Sequence, residues 1–287
     1  MSRLYNLREY HRPTDIDEAA RLLRRKDVHT IVLAGGTTAI GEGSPEIEAV
    51  VDLGGLNLEF IEYENGALYL GAMLRLQTIV EKLHDVSDVL LADAARRTAS
   101  LNIRNMATVG GVLAGGDNHS PFSVALAALR ARVKIYEQPG EMPMWSEIAS
   151  QVRTRGLRGK LITAISLNLP PGHMGAHYDQ VARTPADRPI VSAAAIAYEN
   201  ASGALDTTTA IGGLLNDLVV INQKGRLTEP DKTVSEVVAA VAGQRVPETA
   251  YQSDFRGSAE YRKSVAPILA RRALETALAR LSASTNQ

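Results

Sequence analysis

The 287-residue sequence contains no cysteine. That absence removes disulfides, thiolate nucleophiles, cysteine-ligated metals and iron–sulfur clusters from the chain's own chemistry. Net charge is nearly absent as well: 31 Lys and Arg against 32 Asp and Glu leave −1. Nothing in that balance points to a nucleic acid or a membrane surface as partner. Long hydrophobic runs are missing; no stretch approaches the roughly 20 apolar residues that span a bilayer. The opening MSRLYNLREYHRPTD lacks the apolar run of a secretion signal. No internal repeat is found. What the chain does have is 45% hydrophobic residues. That composition supports a sizeable core, and the length suits one large domain or two or three small ones. The expectation is a soluble, intracellular protein that mixes α and β structure.

The segment PTDIDEAARLLRRKD predicts an amphipathic helix. Thr14 is a good N-cap, Asp15, Asp17 and Glu18 suit the first turn, and Ile16, Ala19, Ala20 and Leu23 follow the i, i+3, i+4, i+7 rule. HTIVLAGG and EAVVDLGGL read as short buried strands that each end in a glycine turn. GALYLGAM is a strand, RLQTIVEKL a helix, and VLLADAARRTASLNI one longer helix. RVKIYE and KLITAISLNLP are strands, and the PPG at Pro170 to Gly172 marks a boundary. AHYDQVA, VSAAAIAYEN and ALDTTTAIGG form a meander with a tight turn at Asn200 to Gly203. Two helices follow, TVSEVVAAVAG and SAEYRKSVAPILARRALETALARL. The pattern predicts subdomains at about 1–55, 56–175 and 176–287.

Two glycine-rich stretches stand out, AGGTTAIGEG (Ala34 to Gly43) and RNMATVGGVLAGG (Arg104 to Gly116). Glycine lets backbone N–H groups approach a ligand and accepts positive φ. Consecutive N–H groups in such turns can form anion-binding nests, and the hydroxyls of Thr37, Thr38 and Thr108 can add hydrogen bonds to phosphate. Plain turns are the competing reading, as for Gly54-Gly55 and Gly212-Gly213. Neither stretch is a G-x-G-x-x-G fingerprint. The residues alone reach candidate phosphate-binding loops and no further.

The order of motifs resembles the FAD-binding medium subunit of the molybdenum hydroxylases, a family that includes xanthine dehydrogenase and carbon monoxide dehydrogenase. VLAGGTT resembles the first flavin loop, and RNMATVGGVLA the second. VVDLGGL with LYLGAMLRLQTI, LITAISLNLP, YDQVAR with IVSAAAIAY, and SDFRGSAEYRKSVAPILARRAL follow the family in order over nearly the whole chain. The resemblance implies an α+β fold. A two-subdomain α/β FAD-binding unit (1–175) precedes a C-terminal β-meander with helices (176–287). It implies FAD extended between the subdomains, with its pyrophosphate on the glycine loops and its ring toward the C-terminal domain. Carried over by position, the first loop contributes Val32, Ala34, Gly35, Gly36, Thr37, Thr38 and Ala39. The second contributes Thr108, Gly110, Gly111, Ala114 and Gly115. Ile162 matches a strand position beside the flavin, and Tyr178 opens the segment near the ring, as a stacking residue or as plain core. No residue here is implied as catalytic. A large subunit would carry molybdopterin and a small one two [2Fe–2S] clusters, with electrons passing to FAD and an external acceptor. The missing cysteines fit that division of labour, and they exclude the subgroup with a cluster inserted in its flavin subunit. A cytoplasmic location follows.

The chain departs from the family at Thr38, Gly115, Pro121 and Gln180, where polar or charged groups are usual. Asp117 and Asn118 are candidate replacements. The departures keep a flavin-free scaffold subunit of the same complex as the alternative. His173 and His177 have HxxxH spacing, but Pro171 and Gly172 forbid the helix that metal ligation needs. His119 lies in the second loop, Arg104 and Asn105 are placed to brace it, and VRTRGLRGK (Val152 to Lys160) reads as a solvated basic connection.

Overall fold

The structure is a computed structural model describing residues 6–39, 45–83, 86–138, 140, 142–148, 157, 160–170, 172–184, 187–214 and 218–285. The end of the first glycine stretch (40–43) and most of the basic connection before Lys160 lie outside the described residues.

The chain begins with a small parallel sheet of order β1-β3-β2, from β1 (Glu9–His11), β2 (Thr30–Leu33) and β3 (Ala49–Asp52). Its helix is α1 (Ile16–Leu23). The helix is capped by Asp15, one residue later than expected: Asp15 Oδ2 accepts the Glu18 N–H at 3.1 Å. A carboxylate meets the positive helix end with a full charge, which the Thr14 hydroxyl lacks. Ala19 and Ala20 are buried beneath β3 together with Val51 and Leu53. Tyr136 and Leu161 of the next sheet join the same cluster, and the Tyr136 hydroxyl donates to Asp17, welding the two layers.

The second sheet has five strands in the order β4-β5-β8-β6-β7, all neighbours antiparallel. The strands are β4 (Ile61–Glu64), β5 (Ala67–Gly71), β6 (Arg132–Tyr136), β7 (Met144–Glu147) and β8 (Leu161–Asn168). Asn65 and Gly66, at φ 50° and 75°, close the β4–β5 hairpin, as a turn with two left-handed residues requires. Between β5 and β6 run five helices: α2 (Leu76–Lys82), α3 (Val86–Thr98), α4 (Leu101–Arg104), α5 (Val109–Ala114) and α6 (Pro121–Ala128). The expected single helix over VLLADAARRTASLNI is thus two. Ser100 is extended (ψ 160°), and Arg104 Nη1 donates to the Arg96 and Ala99 carbonyls at 2.9 and 2.6 Å. A cation on freed carbonyls closes a helix end. Every residue of α6 is buried. Thr98 Oγ1 accepts the Phe122 N–H at 3.1 Å and so ties the end of α3 to the start of α6.

The third sheet is an antiparallel meander, β12-β11-β10-β9. Its strands are β9 (Met174–Val181), β10 (Val191–Glu199), β11 (Leu205–Gly212) and β12 (Val219–Gly225). Alternate residues enter two cores: Tyr178, Ala194 and Ala210 pack toward α3 and α6. Val191, Ala193, Ala195 and Ala197 pack toward the C-terminal helices. Covering both faces explains why VSAAAIA is apolar but for Ser192. Those helices are α7 (Pro230–Ala239), continued by a π-turn at Ala240–Gln244, and the long α8 (Ala259–Thr285). Gly175 lets α8 sit directly on β9, since a Cβ there would lie 1.8 Å from the Ala277 carbonyl. Among the described residues, no helix is long and apolar enough to cross a membrane.

Candidate functional site

A cavity of about 330 Å³ opens between the first sheet and the helices behind the second. That volume lies at the lower end of the range for small-molecule sites. Thirteen of the fourteen site residues expected from the sequence line it: Val32, Ala34, Gly35, Gly36, Thr37, Thr38, Ala39, Thr108, Gly110, Gly111, Ala114, Gly115 and Ile162. The two glycine stretches, about seventy residues apart, form facing walls of this cavity.

Tyr178 does not join them. Its ring is 2% exposed, inside the core between β9 and α3, with the Arg97 guanidinium 5.8 Å from its centroid. Its hydroxyl donates to Gln180 Oε1 at 2.9 Å, and burial pushes the phenol's pKa up.

The first turn leaves β2 and passes through Gly36 at φ 72°, a left-handed position that glycine accepts without strain. Gly35 faces the other stretch, where a Cβ would lie 1.8 Å from the Met106 carbonyl oxygen. Among the described residues, no N–H from Gly35 to Ala39 has a protein partner. Thr37 is half-buried and Thr38 exposed at the rim.

The second stretch is not a nest. Thr108 is the N-cap of α5, and its Oγ1 accepts the Gly111 N–H at 3.1 Å. Val109 and Gly110 donate to Leu74 O and Ala72 O at 2.9 and 2.8 Å. The N–H groups expected to cradle an anion are therefore already bonded inside the protein. Gly110 is there for contact, because a Cβ would sit 2.9 Å from that of Ala72. At Gly111 a Cβ would meet only Thr108 Oγ1, at 2.9 Å, and otherwise the open cavity. The Thr108 hydroxyl, accepting from Gly111, keeps its own proton to donate.

Residues outside the expected set complete the wall, among them His29, Thr30, Ile31, Ile47, Leu53 and Lys160. Among the described residues, no carboxylate lines this cavity, and Lys160 is its one permanently charged side chain. Lys160 was hidden in the sequence by its place at the end of a basic run. Only the pairing of β8 with β6 brings it beside Glu137, whose Oε1 accepts from Nζ at 2.9 Å. A second cavity, about 510 Å³, shares Ala34, Gly35 and Thr108 with the first and carries Arg12, Arg75, Glu59 and Asn105. Arg12 faces Asp52 at 3.7 Å and donates to Gly54 O at 3.2 Å.

The remaining candidates are structural ties. His119 is buried, with Nδ1 3.0 Å from Pro189 O, and desolvation lowers its pKa. Asp117 accepts the His119 N–H at 3.0 Å and pairs with Arg188 at 3.1 Å, while Asn118 O accepts from Gly213 at 3.1 Å. Neither Asp117 nor Asn118 lines the cavity. Pro121 opens α6. Arg104 is occupied by Gln77 and two carbonyls. Among the described residues, no group of three or more His, Asp or Glu is placed to hold a metal.

Residues 5–170 match the family model described as the FAD binding domain in molybdopterin dehydrogenase. The chain belongs to this family. It is similar along its length to two curated medium subunits. The carbon monoxide dehydrogenase medium chain of Afipia carboxidovorans is 30% identical, over 95% of this chain and 97% of that one. The nicotine 6-hydroxylase medium subunit of Paenarthrobacter nicotinovorans is 26% identical, over 94% and 97%. The fold matches a solved carbon monoxide dehydrogenase from Oligotropha carboxidovorans with a TM-score of 0.78 at 23% identity, covering 95% of this chain and 98% of that one. FAD is the family's ligand, and the character of the cavity suits a phosphate-bearing one. Among the described residues it offers unpartnered N–H donors, a left-handed glycine, open space at Gly111, one ammonium and no carboxylate.

Proposed function

We propose that this chain carries electrons between [2Fe–2S] clusters of a small partner subunit and an external acceptor, while a large molybdopterin subunit oxidises the organic substrate. In this reading residues 1–175 hold FAD, residues 176–287 form the C-terminal domain, and the complex works in the cytoplasm. When bound, FAD supplies the redox chemistry by taking up and releasing one or two electrons. The polypeptide's part is positioning. The N–H groups of the first turn meet the pyrophosphate, the Thr37 and Thr108 hydroxyls donate to it, and Gly111 leaves room for it. Ala114, Gly115 and Thr38 border the flavin end, and the apolar β2 wall excludes water from the rest. The observation that carries this reading is the convergence of both glycine stretches on one cavity, with no carboxylate among its described lining residues.

The test is the flavin content of the purified full-length chain, alone and with its partners, for wild type and Gly111→Val. Wild type is expected to hold one FAD per chain, and the variant to stay folded and lose it. Valine fills the space that only Thr108 Oγ1 touches. Colourless wild type that still assembles with a molybdopterin subunit establishes the scaffold alternative. Stoichiometric flavin in Gly111→Val breaks the assignment of the second wall.

A further inference from the structure

The second cavity, about 510 Å³, is of a size usual for small-molecule sites and has a chemistry of its own. Separate chain segments meet there: Arg12 after β1, Glu59 before β4, Met73 and Arg75 between β5 and α2, and Asn105 and Met106 after α4. Backbone bonds fix their places. Met73 N donates to Leu58 O at 2.8 Å, and Arg75 lies between the bonds Val109 N to Leu74 O at 2.9 Å and Leu76 N to Ala107 O at 3.0 Å. Arg75 stands just before α2, where Ser, Thr, Asp and Asn are preferred, and its side chain caps nothing. Among the described residues, neither the Arg75 guanidinium nor the Glu59 carboxylate has a hydrogen-bond or ion-pair partner. Opposite charges on one cavity pair when they reach each other. Standing apart, these two leave room for a ligand that brings an anion to one and hydroxyl donors to the other. Arg12 adds a second guanidinium, answered only by Asp52 at 3.7 Å and by the Gly54 carbonyl.

We propose that this cavity is a ribonucleotide site separate from the flavin cavity, with Arg75 and Arg12 on the phosphate and Glu59 on the ribose hydroxyls. A guanidinium presents paired donors that match phosphate oxygens. An ionised carboxylate only accepts, and the neighbouring hydroxyls of ribose give it two donors. Met73 and Met106 offer polarisable, adaptable thioethers to a flat base, and the Asn105 amide both donates to and accepts from its edge. The inference goes beyond the FAD reading and uses none of the side chains assigned to the flavin.

The experiment titrates AMP, adenosine and inorganic phosphate calorimetrically into the FAD-saturated full-length chain, for wild type, Arg75→Met and Glu59→Gln. With the first cavity filled by flavin, wild type is expected to bind one AMP per chain, more tightly than either adenosine or phosphate. Arg75→Met should weaken AMP by about tenfold, the low end for a hydrogen bond to a charged group, and leave adenosine unchanged. Glu59→Gln should weaken AMP and adenosine alike and leave phosphate unchanged. Both side chains are exposed and unpaired among the described residues, so the unfolding midpoint and the flavin content should stay at wild-type values. No AMP bound by the FAD-saturated wild type, or AMP binding indifferent to both substitutions, overturns the proposal and leaves the flavin reading intact. Loss of FAD in Arg75→Met places that arginine on the flavin's own phosphates and overturns the separate site. A chain that takes up no flavin overturns the FAD reading alone, and the response of AMP to the two substitutions then decides the ribonucleotide site in the same way.

Discussion

At the first turn the chain leaves β2, bends through a left-handed Gly36 and exposes a run of N–H groups without partners among the described residues. At the second it enters α5 directly behind Thr108, and the N–H groups of Val109, Gly110 and Gly111 are all taken. The two walls of one cavity therefore do different work. The first supplies donors. The second supplies shape, with Gly110 pressed on Ala72, Gly111 bare toward the cavity and a single hydroxyl proton. Within each pair the glycines also divide: Gly35 and Gly110 exist for contact with other backbone, Gly36 for its φ, and Gly111 for empty space. Doublets of the same residue thus answer three separate constraints.

The largest expected effect tests that division. Gly35→Val places a Cβ 1.8 Å from the Met106 carbonyl, where backbone rather than a flexible side chain must move. Overpacking of this kind should cost about 3 kcal/mol or more and separate the first sheet from the helices behind the second. Urea unfolding measures it. Gly111→Val should differ in kind. Its clash is with one side-chain oxygen, and valine is a better helix former than glycine, so stability should change by only about 1 kcal/mol while flavin is lost. Equal destabilisation by both variants would erase the distinction between contact glycine and space glycine.

The donor wall was legible because its signals are local. A strand of β-branched residues runs into Gly35-Gly36 and threonines, and the cavity contains all of them. The shape wall was legible as a position but not as a mechanism. Thr108 followed three residues later by Gly111 fits an N-cap as well as a phosphate ligand, and only the folded chain shows that Thr108 caps α5 while the neighbouring N–H groups bond to Ala72 and Leu74. Helix α6 was missed because all eight of its residues are buried, which leaves no polar face to mark a helical period. Strands β1, β4 and β7 are three or four residues long and largely exposed, too short to show alternation. Lys160 depends on pairing between strands far apart in sequence, which no local pattern carries.

A middle-sized effect separates the two threonines. Thr108→Ala removes the cap from α5 and should lower stability by about 1 kcal/mol as well as weaken FAD. Thr37 makes no hydrogen bond within the described residues. Thr37→Ala should therefore leave stability within about 0.5 kcal/mol and weaken FAD by about 1.5 kcal/mol, the lower part of the range for a hydrogen bond to a charged group. Thermal unfolding without flavin and a flavin titration give the two numbers separately. A destabilised Thr37→Ala would mean that the first turn is internally bonded after all, and the contrast with the second would fade.

The smallest effect is the salt dependence of flavin binding, and it bears on the contrast most directly. If N–H groups and hydroxyls carry the pyrophosphate, most of its stabilisation comes from dipoles at hydrogen-bond distance. Mobile ions screen such contacts little, because screening acts over about 10 Å at 0.1 M and chiefly on full charges in solvent. Among the described residues Lys160 is the one permanent charge lining the cavity, and it is partly exposed. Raising salt from low to high should then cost well under about tenfold in FAD affinity, and Lys160→Met should flatten even that slope. Arginine anchoring behaves differently. Arg12 and Arg75 line the neighbouring cavity, which shares Ala34, Gly35 and Thr108 with the first. If they hold the phosphates, affinity falls steeply with salt, Lys160→Met leaves the slope standing, and Arg75→Met removes it. That outcome would move the anion from the backbone of the first turn to side chains beyond it, leaving both glycine stretches as shape and neither as donor.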